Sequence, residues 1–216
     1  MNITGSVIAV LELVGAVAFA ISGAFAAIKK NADAFGVIFL GLTTAAGGGV
    51  MRDILLGIIP PKIFSDWTYI AVAAGSSLAV FIFALAARER FARNMDRIDR
   101  INNIFDAAGL GIFAVYGAKT VLDCGHQNVL LVLFISMLSG VGGGIIRDTL
   151  INEMPFVLKK RIYAVAAMIG GGIFYLLYRY NVNGIICIFS GAAAVFALRM
   201  FATRFKWNLP RVNIGL

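Results

Sequence analysis

Charge is what this chain has least of. Asp, Glu, Lys and Arg make up 14% of its 216 residues, where a soluble domain carries about 25%. Histidine occurs once and cysteine twice. A lone His126 in a polar loop leaves no Ser/His/Asp set and no His/Cys zinc cluster. Cys124 and Cys187 have neither metal-ligand nor redox spacing and read as structural. No Gly-x-Gly-x-x-Gly fingerprint occurs, and no glycine run leads into Lys-Ser or Lys-Thr, so the nucleotide-binding signatures are missing too. The expectation is a protein that is not an enzyme and holds no cofactor and no metal.

In place of charge there is hydrocarbon: the chain is 60% apolar, with a mean hydropathy of +0.89. About 30 Å of bilayer core takes roughly 17–25 helical residues. Seven stretches qualify, near residues 6–28, 35–57, 67–87, 101–119, 128–150, 162–180 and 184–203. The expected fold is an all-α membrane protein, one transmembrane domain over 1–216. The first stretch has no basic segment before it and is too long for the apolar part of a signal peptide, so it reads as a retained span. The polar joint from Arg88 to Arg100 separates the third stretch from the fourth.

The net charge of +8 would suggest nucleic acid in a soluble domain. Here its placement explains it. Lys29 and Lys30, then Arg88, Arg90, Arg93, Arg97 and Arg100, then Lys159, Lys160 and Arg161, and finally Arg199, Arg204, Lys206 and Arg211 all fall on one side of a seven-span layout. The opposite loops hold Lys62, Lys119 and Arg179. The positive-inside rule then sets the N-terminus outside and the C-terminus in the cytoplasm of a cell-membrane (inner-membrane) protein. Anionic membrane lipids are the expected contact of the basic side, and no nucleic-acid partner is expected.

One phrase is written twice: Gly47-Gly48-Gly49-Val50-Met51-Arg52-Asp53 and, 95 residues on, Gly142-Gly143-Gly144-Ile145-Ile146-Arg147-Asp148. Pro60 and Pro155 follow at equal distance. Tyr69-Ile70-Ala71-Val72-Ala73-Ala74 resembles Tyr163-Ala164-Val165-Ala166-Ala167-Met168, and Phe19 with Gly23 aligns with Phe105 and Gly109. Three spans per copy give opposite orientations, so 6–87 and 101–180 read as inverted repeats and 184–203 as an added seventh helix.

Three adjacent glycines cost a helix roughly 1 kcal/mol each against alanine, so the second and fifth spans are expected to bend or open there. Gly47, Gly48, Gly49, Gly142, Gly143 and Gly144 then either expose carbonyls to a passing cation or let two helices pack closely. Charges inside the spans are Glu12, Arg52, Asp53, Asp106, Arg147 and Asp148. Neighbours on a helix point about 100° apart, so Arg52 is not expected to pair simply with Asp53. The repeat offers cross pairs, Arg52 with Asp148 and Arg147 with Asp53, near the bundle centre. The alternative is a wet path lined by the two Asp residues, and pure structural ion pairing stands beside both. Glu12 and Asp106, on the first span of each copy, do not align in this register; Glu12 reads as deep and bordering the path, Asp106 as close to the cytoplasmic interface. Thr43, Thr44, Ser136 and Ser139 precede the glycines and can bond freed backbone or line a path. Lys119 reads as a snorkelling anchor or a gating charge. Trp67, Tyr69, Tyr163 and Trp207 read as interfacial aromatics.

The doubled Gly-Gly-Gly-x-x-Arg-Asp phrase, the prolines after it and the three-plus-three-plus-one layout resemble prokaryotic members of the trimeric intracellular cation (TRIC) channel family, over essentially the whole chain. That resemblance implies a homotrimer with one pore per subunit. Bent second and fifth helices would line each pore and conduct potassium and other monovalent cations such as sodium, with Asp53 and Asp148 near the path. The arginine joint does not match the basic lipid-binding motif of animal members. Such sequences also resemble a domain labelled a glycine transporter, which implies a secondary transporter of a small solute as the rival function.

Overall fold

A computed structural model describes residues 3–159 and 162–207. Lys160, Arg161 and Arg211, counted above in the charge asymmetry, lie outside the described residues. Every regular element described is helical: α1 (Ile3–Lys29), α2 (Ala34–Leu55), a 3₁₀ turn (Lys62–Phe64), α3 (Trp67–Ala86), α4 (Arg88–Arg93), α5 (Met95–Asp123), α6 (Val129–Leu150), α7 (Phe156–Lys159), α8 (Ala164–Arg179) and α9 (Gly184–Arg204).

The starts of the long helices are written in short polar side chains. Asp33, Asp66, Asn128 and Asn183 each accept a hydrogen bond from a backbone N–H in the first turn of α2, α3, α6 and α9. Such caps satisfy donors that a helix start leaves open. The Arg88–Arg100 joint, expected as a polar linker, is helical almost throughout. It contains no glycine or proline to stop a helix, and α5 begins at Met95, ahead of the predicted 101.

Six described helices are long and apolar enough to cross a membrane: α1, α2, α3, α5, α6 and α9. The remaining predicted span, sixth in chain order over 162–180, is α8. Its 16 residues reach about 24 Å at 1.5 Å per residue, because Ile162 has a positive φ of 45° and the helix starts only after it.

α1 packs on α2, α3 and α5; α6 packs on α5, α2 and α8; α9 attaches to α5 and α8. Phe19 of α1 stacks on Phe113 of α5, ring centroids 5.2 Å apart, in the main apolar core with Leu110, Val141 and Ala167. Large apolar side chains such as Phe35, Trp67 and Leu130 face outward. Lys29 pairs with Asp99, and Lys30 with Glu153 at 3.0 Å. These pairs tie the end of α1 to the start of α5 and the end of α6, so the first basic loop and the arginine joint share one end of the bundle.

Candidate functional site

The doubled phrase meets itself. α2 and α6 run antiparallel and cross at their glycines. A Cβ on Gly48 would drive into the carbonyl of Ser139, and one on Gly143 into the carbonyl of Thr44. A Cβ on Gly142 would lie 3.0 Å from the Cα of Gly48, and one on Gly47 would run into the Ile146 side chain. Backbone here rests on backbone, which only glycine allows. Both helices are hydrogen-bonded without interruption through these residues, so the expected opening at the glycines is not present. Close packing repays the propensity cost that predicted it. Gly49 and Gly144 point elsewhere, toward Arg52 and toward Arg147 and Tyr163.

The antiparallel crossing also overturns the cross pairs. Since Gly48 meets residue 139 and Gly143 meets residue 44, Arg52 lies level with residue 135 and Arg147 level with residue 40. Arg52 and Asp148 are thus about 20 Å apart along the axis, and each charged pair sits toward its own end of the bundle. The sequence neighbours pair after all. Arg52 Nε donates to Asp53 Oδ1 at 2.8 Å, and Arg147 Nε to Asp148 Oδ1 at 2.8 Å. The roughly 100° between neighbours describes where side chains leave the helix. The long arginine stem curls back across that gap and delivers its guanidinium to the next carboxylate.

Each Asp does a second task. Asp53 Oδ2 accepts from the Lys62 backbone N–H (2.9 Å), and Asp148 Oδ2 from that of Phe156 (2.7 Å). Each carboxylate so pins the segment that follows its proline to the end of its helix. Each guanidinium lies over an aromatic ring, Arg52 on Tyr116 (4.6 Å) and Arg147 on Phe156 (4.8 Å). Both arginines are almost fully buried, at 2% and 1% exposure.

The contacts recur in a register of 94 residues for α1 against α5 and α3 against α8, and 95 for α2 against α6. Gly23 packs on Leu40 and Thr44, and Gly117 on Ile135 and Ser139; Gly15 faces Phe113, and Gly109 faces Phe19. Phe19 therefore corresponds to Phe113, not Phe105, and Gly23 to Gly117, not Gly109. The carbonyl of Pro61 accepts from Phe64, as that of Pro155 does from Leu158, so Pro61 is the counterpart of Pro155. The corrected register puts Glu12 level with Asp106, an alignment the sequence reading missed.

At one end, Arg147 Nη1 reaches both Asp106 Oδ1 (2.8 Å) and Ser22 Oγ (2.6 Å). Asp106, expected near an interface, is fully buried. Arg199, counted with the cytoplasmic charges, is buried as well: it donates to Asn103 Oδ1 (3.1 Å) and stacks on Tyr163 (4.6 Å). A cleft of about 230 Å³, lined in part by Lys29, Asp99, Asn102 and Glu153, leads down to Arg147. At the other end, Glu12 lies beside Tyr116 and, with Lys119, lines a cavity of about 30 Å³. Lys119 pairs with Asp123 one turn on. Tyr69 and Tyr163, read as interfacial, are buried; Tyr69 donates to the Ala45 carbonyl at 2.7 Å.

Thr44 donates to the Leu40 carbonyl at 2.6 Å, while the Ser139 hydroxyl is buried with no hydrogen-bond partner. Ser136 donates to the carbonyls of Ala114 and Ala167. The residues that sequence reasoning missed are Ser22, Asn103, Tyr116 and the burial of Arg199. Ser22 and Tyr116 are level in the 94-residue register, and that register was the signal to find them.

Fold and site together define a multi-pass α-helical membrane protein whose core is a twofold-related helix crossing with a buried charged node at each end. The chain belongs to the family described as Glycine transporter, whose model matches it twice, over residues 9–85 and 103–179. A UPF0126 membrane protein of Deinococcus radiodurans is 46% identical over 77% of this chain and 74% of its own length. The Bacillus subtilis membrane protein YvgT is 35% identical over 95% and 96%. Among solved structures, a prokaryotic TRIC channel crystallised in 0.5 M KCl shares the fold at a TM-score of 0.85 and 37% identity, covering 94% of this chain and 99% of that one. The TRIC trimeric intracellular cation channel orthologue from Rhodobacter sphaeroides gives 0.84 and 30%, covering 94% and 100%.

Proposed function

We propose that the chain is a potassium-permeable monovalent cation channel, a homotrimer in which each subunit carries its own pore along α2 and α6. The observation that carries this reading is the crossing itself. Two helices meet at bare backbone in the middle, and each ends in a buried arginine–carboxylate node; a cleft leads to the Arg147 node, and a small cavity beside Glu12 lies at the Arg52 end. The shared fold with TRIC cation channels supports the same reading. Intramembrane charges that face cavities mark ion routes in membrane proteins. In this account Gly47, Gly48, Gly142 and Gly143 form the closed waist. Thr44 and Ser139 flank it, Arg52, Asp53, Arg147 and Asp148 brace its ends, and Glu12 with Lys119 borders one mouth. Separating the two helices at the waist opens the path.

We further propose two inverted repeats, 6–87 and 101–180, with α8 as a full span and 184–203 added. The N-terminus lies outside, and the C-terminus and the arginine joint lie at the cytoplasmic face of the cell membrane against anionic lipids. The shared location of Lys29, Lys30, Asp99 and Glu153 supports one basic end. A secondary transporter of a small solute such as glycine is the second reading. The family's description favours it, and so does the two-repeat plan, because repeats that rock about a glycine crossing can alternate access. Purified protein in planar bilayers under a potassium chloride gradient distinguishes the two. The channel gives unitary current steps that reverse toward the potassium equilibrium potential. A carrier gives saturable glycine uptake into proteoliposomes and no steps.

A further inference from the structure

The two ends of the bundle are tied differently. In the repeat register Lys29 corresponds to Asp123 and Lys30 to Cys124, while Gly5 and Ile58 stand where Asp99 and Glu153 stand. At the Arg52 end Asp123 turns to Lys119 of its own helix. At the Arg147 end Lys29, in the last turn of α1, pairs with Asp99 of α5, and Lys30 reaches Glu153 beyond α6 at 3.0 Å. Among the described residues these are the only partly exposed ion pairs that bridge one helix end to another.

The backbone under the second pair is set before its side chains meet. α1 closes at Asn31 (φ 56°) and α6 at Asn152 (φ 55°), the left-handed conformation that ends a helix. The N–H groups of Lys30 and Glu153 bond back into these turns, to Ala27 at 3.0 Å and Asp148 at 2.8 Å. The pairs lie over the cleft that leads to Arg147. Lys29, Asp99 and Glu153 line it and are partly exposed, so they form its rim; Asn102, Asn103 and Arg147 line it and are buried, so they form its floor. Asn102 Oδ1 is buried without a hydrogen-bond partner in the protein. Buried amide oxygens are normally satisfied by protein or by water, and a cleft of about 230 Å³ has room for several waters.

We propose that Lys29 and Lys30 form an ionic strap that holds the end of α1 against α5 and α6 and limits access of water and solutes to the Arg147 cleft. Partly exposed ion pairs suit this task, because each shifts an equilibrium by at most about fivefold and salt weakens it. Two of them bias the mouth of the cleft toward closure and still release it. The consequence for conduction rests on the channel reading: release of the strap admits cations at the Arg147 end, and the Arg52 end has no such device. The access step itself does not rest on that reading.

The test is the rate at which methyl methanethiosulfonate modifies a thiol on the cleft floor, Asn102→Cys in a Cys124→Ser background, read by mass spectrometry of the whole purified protein. The reagent is neutral, so attraction to the rim charges does not enter the rate. Adding Lys29→Gln and Lys30→Gln should speed modification about fivefold or more. Raising potassium chloride from about 0.05 M to about 1 M should speed it in the protein that keeps both lysines and leave the Gln variant unchanged. Exchanging one pair, Lys29→Asp with Asp99→Lys, should return the slow rate that Lys29→Gln alone loses. Equal rates with and without the lysines, an equal salt effect in both, or an exchanged pair no slower than Lys29→Gln overturns the proposal. The salt series on Asn102→Cys decides alone if the Gln variant does not fold, and a rate that salt leaves unchanged overturns the strap. Ala26→Cys, another position lining the cleft, replaces Asn102→Cys if that variant does not fold. Faster modification on release without unitary steps in bilayers upholds the strap and defeats the channel reading.

Discussion

The two halves of the molecule solve one packing problem with exchanged side chains. In the first half Gly41 of α2 receives Ser77 of α3, whose hydroxyl bonds back to Ala73. In the second the serine moves to the other helix: Ser136 of α6 fits against Gly171 of α8 and bonds to Ala114 and Ala167. The charged nodes repeat the lesson. Arg52 and Arg147 sit on equivalent backbone, but only Arg147 reaches the carboxylate of the neighbouring helix. Shared backbone geometry leaves the chemistry of each end free to differ.

The sharpest way to break the comparison is to remove each arginine. Arg147→Met leaves the buried Asp106 and Asp148 without their shared cation and should destabilise by about 3–5 kcal/mol, the usual cost of orphaning a buried ion partner. Arg52→Met strands only Asp53 directly and should cost less, about 1–3 kcal/mol. Thermal unfolding of the purified variants reads this ranking, and equal losses would make the nodes equivalent after all.

The glycine crossing comes next. Gly48→Val and Gly143→Val push a side chain into fixed carbonyls and should each cost about 3 kcal/mol or more. Gly49→Ala, whose nearest neighbour is the Arg52 guanidinium at 3.8 Å, should be neutral or stabilise by about 0.5 kcal/mol through helix propensity. Similar losses at all three positions would mean the glycines matter for conformation rather than for approach.

A smaller effect tests the exchange itself. Gly41→Ser alone should cost about 1–3 kcal/mol. Adding Ser77→Gly copies the arrangement of the second half and should recover at least about 1 kcal/mol. Additive losses in the double variant would show that the two contacts are not interchangeable.

The smallest prediction lies outside the spans. The Asp66 carboxylate caps α3, and its bonds from Thr68 hold its pKa below the usual value. Its contribution is therefore present above the ordinary carboxylate range and lost as pH falls through the lowered pKa. Amide exchange in the first turn of α3 should speed up in acid, and Asp66→Ala should remove that dependence.

Much of this was legible. Long apolar runs with Asp33, Asp66, Asn128 and Asn183 at their starts mark where helices begin, and the doubled phrase marks the two segments that meet. What could not be read was direction of contact. Glycine runs look alike whether they open a helix or admit a neighbour, and only the partner's carbonyl decides. Arg199 has the sequence context of an end-of-helix anchor, yet the helix ends where α5 and α8 cover it. Glu12 and Asp106 were misaligned because the Phe-x-x-x-Gly word of Phe19 and Gly23 recurs twice in α5, at Phe105 and Gly109 and again at Phe113 and Gly117, and only the packing selects the second.

Whether ions pass along α2 and α6 is tested most directly by placing a thiol at the waist. In a Cys124→Ser background, Thr44→Cys and Ser139→Cys should each be modified by a small cationic methanethiosulfonate reagent, and single-channel potassium current should fall irreversibly as they are. Full current after complete modification at both positions would contradict the route proposed here.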